Sequence, residues 1–177
     1  MTEKDLIVKE KVENTGLFDF AGFYSYAYGW FKYEEYVVIE EEYTEKVSGN
    51  EREAVIKWKA WKTVTDYFKI EIAVKYEVRN MTEVEVEVDG RKKNLTNARL
   101  ILKINGTVET DWQGKFASGT PFTKKLGALY NKMVAGKEIV AYWDPLYYRI
   151  WNLHAVIKKY FDMQAKKNAY KGYIGEN

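Results

Sequence analysis

Side chains able to do chemistry are few in this chain. His154 is the only histidine among 177 residues, and there is no cysteine. The missing thiols exclude disulfides, thiolate zinc sites, iron-sulfur clusters and a cysteine nucleophile, and a lone imidazole excludes any site built on two. A catalytic His154 needs a carboxylate or a nucleophile beside it. Its helical neighbours four residues away are Ile150 and Lys158, so that partner would have to come from elsewhere in the fold. The alternative is a histidine at the edge of a core. Two acidic clusters, Glu40-Glu41-Glu42 with Glu45 and Glu83, Glu85, Glu87, have the donors of a metal or acid/base site. Strand alternation instead puts Glu83, Glu85 and Glu87 on a solvent face, opposite Lys and Arg of neighbouring strands. The chain has no G-x-S-x-G, no Gly-rich phosphate loop and no H-E-x-x-H. The sequence therefore names no catalytic residue, metal site or cofactor, and whether the chain is an enzyme stays open.

Binding chemistry is better represented, with 6 Trp and 15 Tyr that bury area while keeping a polar tip. Tyr76, Trp112, Tyr147, Tyr148, Trp151 and His154 are the candidates to line an apolar cavity, the alternative being ordinary core packing. A run of rings and cations, Lys57-Trp58-Lys59-Ala60-Trp61-Lys62, could stack on nucleic-acid bases or equally form a wet strand face. The net charge of +2 hides a split: residues 1–112 carry −5 and residues 113–177 carry +7. Candidate polyanion contacts are thus Lys57, Lys59, Trp61 and Lys62, with Lys158, Lys159, Lys166 and Lys167 late in the chain.

These residues must be positioned by recognisable elements. Leu6, Val8, Glu10 and Val12 alternate with charged positions, predicting a first strand that closes at Asn14-Thr15-Gly16. Residues 17–33 pack nine aromatics, with Leu17, Ala21, Tyr24, Tyr28 and Phe31 at helical spacing. One helix, or two short ones broken at Gly22 or Gly29, is expected. Residues 36–112 read as an antiparallel meander. It has turns at Ser48-Gly49-Asn50 and Asp89-Gly90, a β-bulge at Ala60-Trp61, and inward faces of Phe68, Ile70, Ile72, Val74, Tyr76, Val78 and of Ala98, Leu100, Leu102, Ile104, Gly106, Val108, Trp112. Beyond Gly114 the period changes to helical. Thr120-Pro121 opens a helix whose stripe is Phe122, Leu126, Leu129, Tyr130 and Met133. Asp144-Pro145 is an N-cap pair for a long helix with Leu146, Ile150, Leu153, Ile157 and Phe161 on one face. Residues 139–143 either lead into it or form a turn of their own.

The class expected is α+β: a curved antiparallel sheet of six to seven strands around a long C-terminal helix, with short helices after strand one, in one domain over residues 1–177 (core 5–166, frayed tail 168–177). That order, carried by residues 5–166 and above all by the uninterrupted meander of 36–112, resembles the START-like helix-grip (SRPBCC) superfamily. The resemblance implies a cavity between sheet and helix for a lipid-like or other small hydrophobic ligand, although Ser48-Gly49-Asn50 does not match the Gly-rich loop of one branch. An assembly or adaptor protein using residues 17–33 or the basic helix, with a protein partner or a second copy, is the alternative reading. Binding of nucleic acid or an anionic membrane surface comes third. No apolar leader is visible in residues 1–13, so a cytoplasmic location is expected, and the sequons at Asn80, Asn94 and Asn105 are read as chance matches.

Overall fold

In the computed structural model, residues 3–49, 51–88, 91–114, 120–130 and 136–168 are described. The chain runs β1 (Glu3–Phe18), α1 (Phe20–Tyr33), β2 (Val37–Ser48), β3 (Glu51–Thr63), β4 (Phe68–Val88), β5 (Arg91–Thr110), α2 (Pro121–Tyr130) and α3 (Gly136–Asn168). The strands form one antiparallel sheet in the order β1-β5-β4-β3-β2. β2 to β5 are a hairpin meander, and β1 closes onto the far side of β5 because α1 carries the chain across the sheet.

The α+β class stands, with five strands among the described residues where six to seven were expected. β4 is 21 residues long and β5 is 20, each longer than the sequence pattern suggested. Alternation breaks near Asn80 and at Thr96-Asn97, yet pairing continues across both. A register shift between Arg79 and Thr82, with Asn80 at φ 54°, absorbs the phase change as a bulge. Likewise β1 does not stop at Asn14-Thr15-Gly16 but pairs with β5 out to Phe18 opposite Thr96. The bulge expected at Ala60-Trp61 is absent. Ala54, Ile56, Trp58 and Ala60 stay in phase, and the irregularities fall at Arg52/Ala54 and on β2 between Glu40 and Glu42. The turn at Asp89-Gly90 lies outside the described residues, though Val88 pairs with Arg91 on either side of it. Trp112 is not inward: the strand ends at Thr110, Asp111 turns at φ 49°, and the indole donates to the Thr65 carbonyl at 3.0 Å.

A single helix follows β1, capped by the Asp19 carboxylate, which accepts from the Gly22 amide at 2.8 Å and pairs with Lys93 at 2.7 Å. Its buried positions are Phe23, Ala27, Trp30 and Phe31, so Ala21 and Tyr28 of the expected stripe face outward instead. In α2 most of the expected stripe is not buried either. Phe122 is 72% exposed and Leu126 and Leu129 are exposed, while Tyr130 is half-buried edge-on to Tyr67 at 5.1 Å; Met133 lies outside the described residues. Pro145 sits inside α3 rather than at its first turn, so residues 139–143 lead into the helix.

Leu146, Ile150, Leu153, Ile157 and Phe161 of α3 are buried against the inner face of the sheet, as expected from their spacing. At roughly 2 kcal/mol per buried side chain, this stripe contributes on the order of 10 kcal/mol before entropy. α3 lies mainly over β1 and β5, and α1 lies against β2. The closest approach is at Gly106, where a Cβ would come within 2.2 Å of Ile150 Cδ1 and 2.9 Å of Val8 Cγ1. Gly106→Ala should therefore cost about 1–3 kcal/mol in urea denaturation. Ile150→Val, which removes the clashing methyl, should restore part of that loss in the double variant. Wild-type stability for Gly106→Ala alone would contradict the close seating of α3.

Candidate functional site

The chemistry-bearing residues fall on three surfaces: the inner core, the outer sheet face and the free flank of α3. At about 100° per residue, the faces of α3 can be assigned from its contacts. One side meets α1: Trp30 Nε1 donates to Asn152 Oδ1 at 3.0 Å, Arg149 pairs with Glu34 at 3.5 Å, and the Tyr160 ring makes tilted contacts with Phe23 and Tyr26. The next side meets the sheet. The third side, turned away from α1 and therefore toward the β1 edge, carries Trp143, Tyr147, Trp151, His154 and Lys158. Trp143, Tyr147 and Trp151 recur every four residues and are 39%, 42% and 42% exposed. Within it the Tyr147 and Trp151 centroids are 6.1 Å apart and Trp151 is edge-on to His154 at 5.4 Å.

The expected cavity residues are not gathered at one place. Tyr147 and Trp151 belong to this open row, Tyr148 is 69% exposed beside it, and His154 is buried at its inner margin. Trp112 lies at the β5 end under the Lys69 ammonium. Only Tyr76 is deep in the core, edge-on to Trp58 at 4.9 Å. Trp143 is absent from the residues that sequence singles out, because Asp144-Pro145 reads as an N-cap pair opening the helix just after it. Its four-residue spacing to Tyr147 and Trp151 is the signal that could have found it.

Around Trp58 the polar tips satisfy one another. The Tyr24 hydroxyl donates to Glu40 and accepts from Trp58 Nε1, the latter at 2.8 Å. Burial, helped by the Glu40 carboxylate, pushes the Tyr24 hydroxyl up to about 12. Burial, with a smaller contribution from Tyr24, holds Tyr76 well above its ordinary value. Both stay protonated at neutral pH, which suits packing and hydrogen bonding rather than proton transfer.

The outer face of the sheet is a lattice of ion pairs. Lys57 pairs with Glu42 at 2.5 Å and Lys59 with Glu71 at 3.4 Å, with Trp61 half-buried beside them, while Lys62, in phase with the inward Trp58 and Ala60, pairs with Glu35 just past α1 at 2.7 Å. The candidate polyanion stretch is thus neutralised within the fold. Lys158 and Lys159 are exposed on α3, and the side chains of Lys166 and Lys167 lie outside the described residues. Asn80 and Asn94 are exposed and Asn105 is half-buried. Two open clefts of ≈ 500 and ≈ 520 Å³ lie on this face, lined by charged residues such as Glu77, Lys75, Lys103, Lys9 and Lys11. Among the described residues no group of three metal-ligating side chains occurs, and no helix is long and apolar enough to cross a membrane.

No family model, no curated protein and no solved structure matches this chain.

Glu77 is the hub of the outer lattice, held by Lys103 at 2.7 Å, Lys75 at 2.9 Å and Arg79 at 3.1 Å. It is 7% exposed, roofed by the stems of these cations rather than sunk in the core. Hydrogen bonds from Lys103 and Lys75 lower its carboxyl from 4.5 to about 2. Because the folded value is the lower one, its stabilisation is complete above the unfolded value near 4.5 and disappears as pH falls toward 2. Glu77→Gln should lower the thermal midpoint at pH 7 and narrow the gap between midpoints at pH 7 and pH 2.5. An unchanged gap would mean that Glu77 does not hold the lattice.

Proposed function

We propose that this protein is a non-enzymatic docking module whose working surface is the aromatic flank of α3, with another protein surface as its partner. The observation carrying this reading is the row Trp143, Tyr147, Trp151. Three large rings stand open on one side of a helix whose other two packed sides are filled by α1 and the sheet. Exposed aromatic rows of this kind supply the rigid, amphipathic anchors of protein interfaces. Lys158 lies at the end of the same flank, where a cation rims an apolar patch.

The cavity reading rests on element order, in which a meander and a terminal helix resemble the helix-grip arrangement. A ligand between sheet and helix needs α3 to stand off from the strands, and the contact of Ile150 with Gly106 and Val8 favours a filled interface there. Nucleic-acid binding through residues 57–62 is disfavoured by the carboxylates already seated on Lys57, Lys59 and Lys62. In α1 Phe23, Trp30 and Phe31 are buried and the exposed rings are Tyr26, Tyr28 and Tyr33, with no tryptophan among them, which moves the weight of a docking function to α3.

Photo-crosslinking tests the reading. A benzophenone side chain at position 151, in the organism of origin, should yield an adduct with a protein, whether a second copy or another chain. The same probe at position 159 should give none. Equal labelling at both, or adducts at neither, contradicts the proposal. Because the row does not serve the core, Tyr147→Ala with Trp151→Ala should move the thermal midpoint by less than about 4 °C.

A further inference from the structure

Building on the docking reading, we infer that the partner is a second copy of this chain, joined through the free edge of β1 with a two-fold axis at Val12. Among the described residues β1 pairs only with β5, so one edge of this 16-residue strand has no strand beside it. Antiparallel pairing of two such edges places residues whose numbers sum to 24 opposite one another. Val12 then faces Val12, Lys11 faces Glu13 twice, so that the exposed Lys11–Glu13 pairs of the two chains, with Arg99 beside Glu13, join across the axis; Glu10 faces Asn14, Lys9 faces Thr15 and Val8 faces Gly16. Every charged residue meets an opposite charge or a neutral partner. A slip of two residues in either direction sets Lys11 against Lys11 or Glu13 against Glu13, which is destabilising across a strand pair. The bulge of β1, between Leu6 and Val8, lies outside this paired stretch.

The even sum keeps equivalent faces of both sheets on the same side, so both copies of α3 lie above the joined sheet. Each helix sits over β1 and β5. With strands ~4.8 Å apart, the two helix axes come to about 10 Å, at the packing distance of helices. Ile150 lies by Val8, and Phe161 touches Phe18 at 5.5 Å, so the level of Val12 falls near His154. The two-fold thus brings Trp151 and His154 of the two copies toward each other, covering the open aromatic row and the strand edge together. β2, the opposite edge, carries Glu40, Glu41, Glu42 and Glu45 with a bulge between Glu40 and Glu42. Carboxylates of one sign around a bulge keep that edge from pairing with its own copy, whereas the charges of β1 over residues 9–13 alternate in sign.

Sedimentation velocity of the wild-type chain at micromolar concentration should give twice the 20.8 kDa chain mass. Lys11→Glu, which gathers carboxylates at positions 11 and 13 of both copies around the axis, should weaken dimerisation at least tenfold with unchanged circular dichroism. Adding Glu13→Lys should restore it. Val12→Cys supplies the chain's only thiol, and mild oxidation should link two copies through it. A wild-type monomer, a Lys11→Glu dimer of undiminished affinity, or failure of the Val12→Cys dimer to crosslink overturns the inference. If the chain is monomeric while the probe at position 151 captures a different protein, the docking reading survives and only the second copy is wrong. Monomer without adduct removes both.

Discussion

The contact of α3 with the sheet at Gly106 governs the rest of the molecule. A residue without a side chain lets the helix descend until Ile150 and Leu146 meet Val8 and the strand backbone. Because the descent happens over β1 and β5, the buried stripe fills the groove there and α1 fills the other half against β2. Two sides of α3 are consumed in this way. Its third flank must face outward beyond the edge of the sheet, and the sequence puts large rings there. An apolar row left open beside a buried stripe is what favours a surface function.

Electrostatics complement this division. Carboxylates and ammonium groups of the outer sheet face pair across neighbouring strands, with Glu77 and Glu109, each 7% exposed, serving as nodes. A face saturated with internal pairs has little left for a charged ligand. Its contribution is to keep the two sides of the sheet distinct, so that strand register and core packing agree. The inner polar groups behave likewise, since Tyr24, Trp58 and Glu40 satisfy one another at the margin of the core.

Much of the fold was legible in the sequence where one period dominated. β4 from Phe68 to Val78 and α3 from Leu146 to Phe161 bury the residues that alternation and helical spacing single out. Errors arose where a local signal competed with a longer pairing. Asn80 looks like a terminus, but a bulge carries β4 past it, and Gly16 looks like a turn, but β5 extends alongside it. The stripe of α2 is a different failure: helical spacing of Phe122, Leu126 and Leu129 predicts a shared face, and says nothing about whether a neighbour exists to cover it. Candidate ligand residues were legible as aromatic, and their dispersal was not, because only tertiary structure decides which of Tyr76, Trp112, Tyr147 and Trp151 share a surface.

Amide hydrogen exchange along β1 tests the central claim that this edge and flank are occupied in solution. In a lone edge strand, every second amide points to water and exchanges fast, giving an alternating pattern over residues 8–16. The account predicts uniformly slow exchange there at high protein concentration and a return to alternation on dilution. Persistent alternation at every concentration would contradict it.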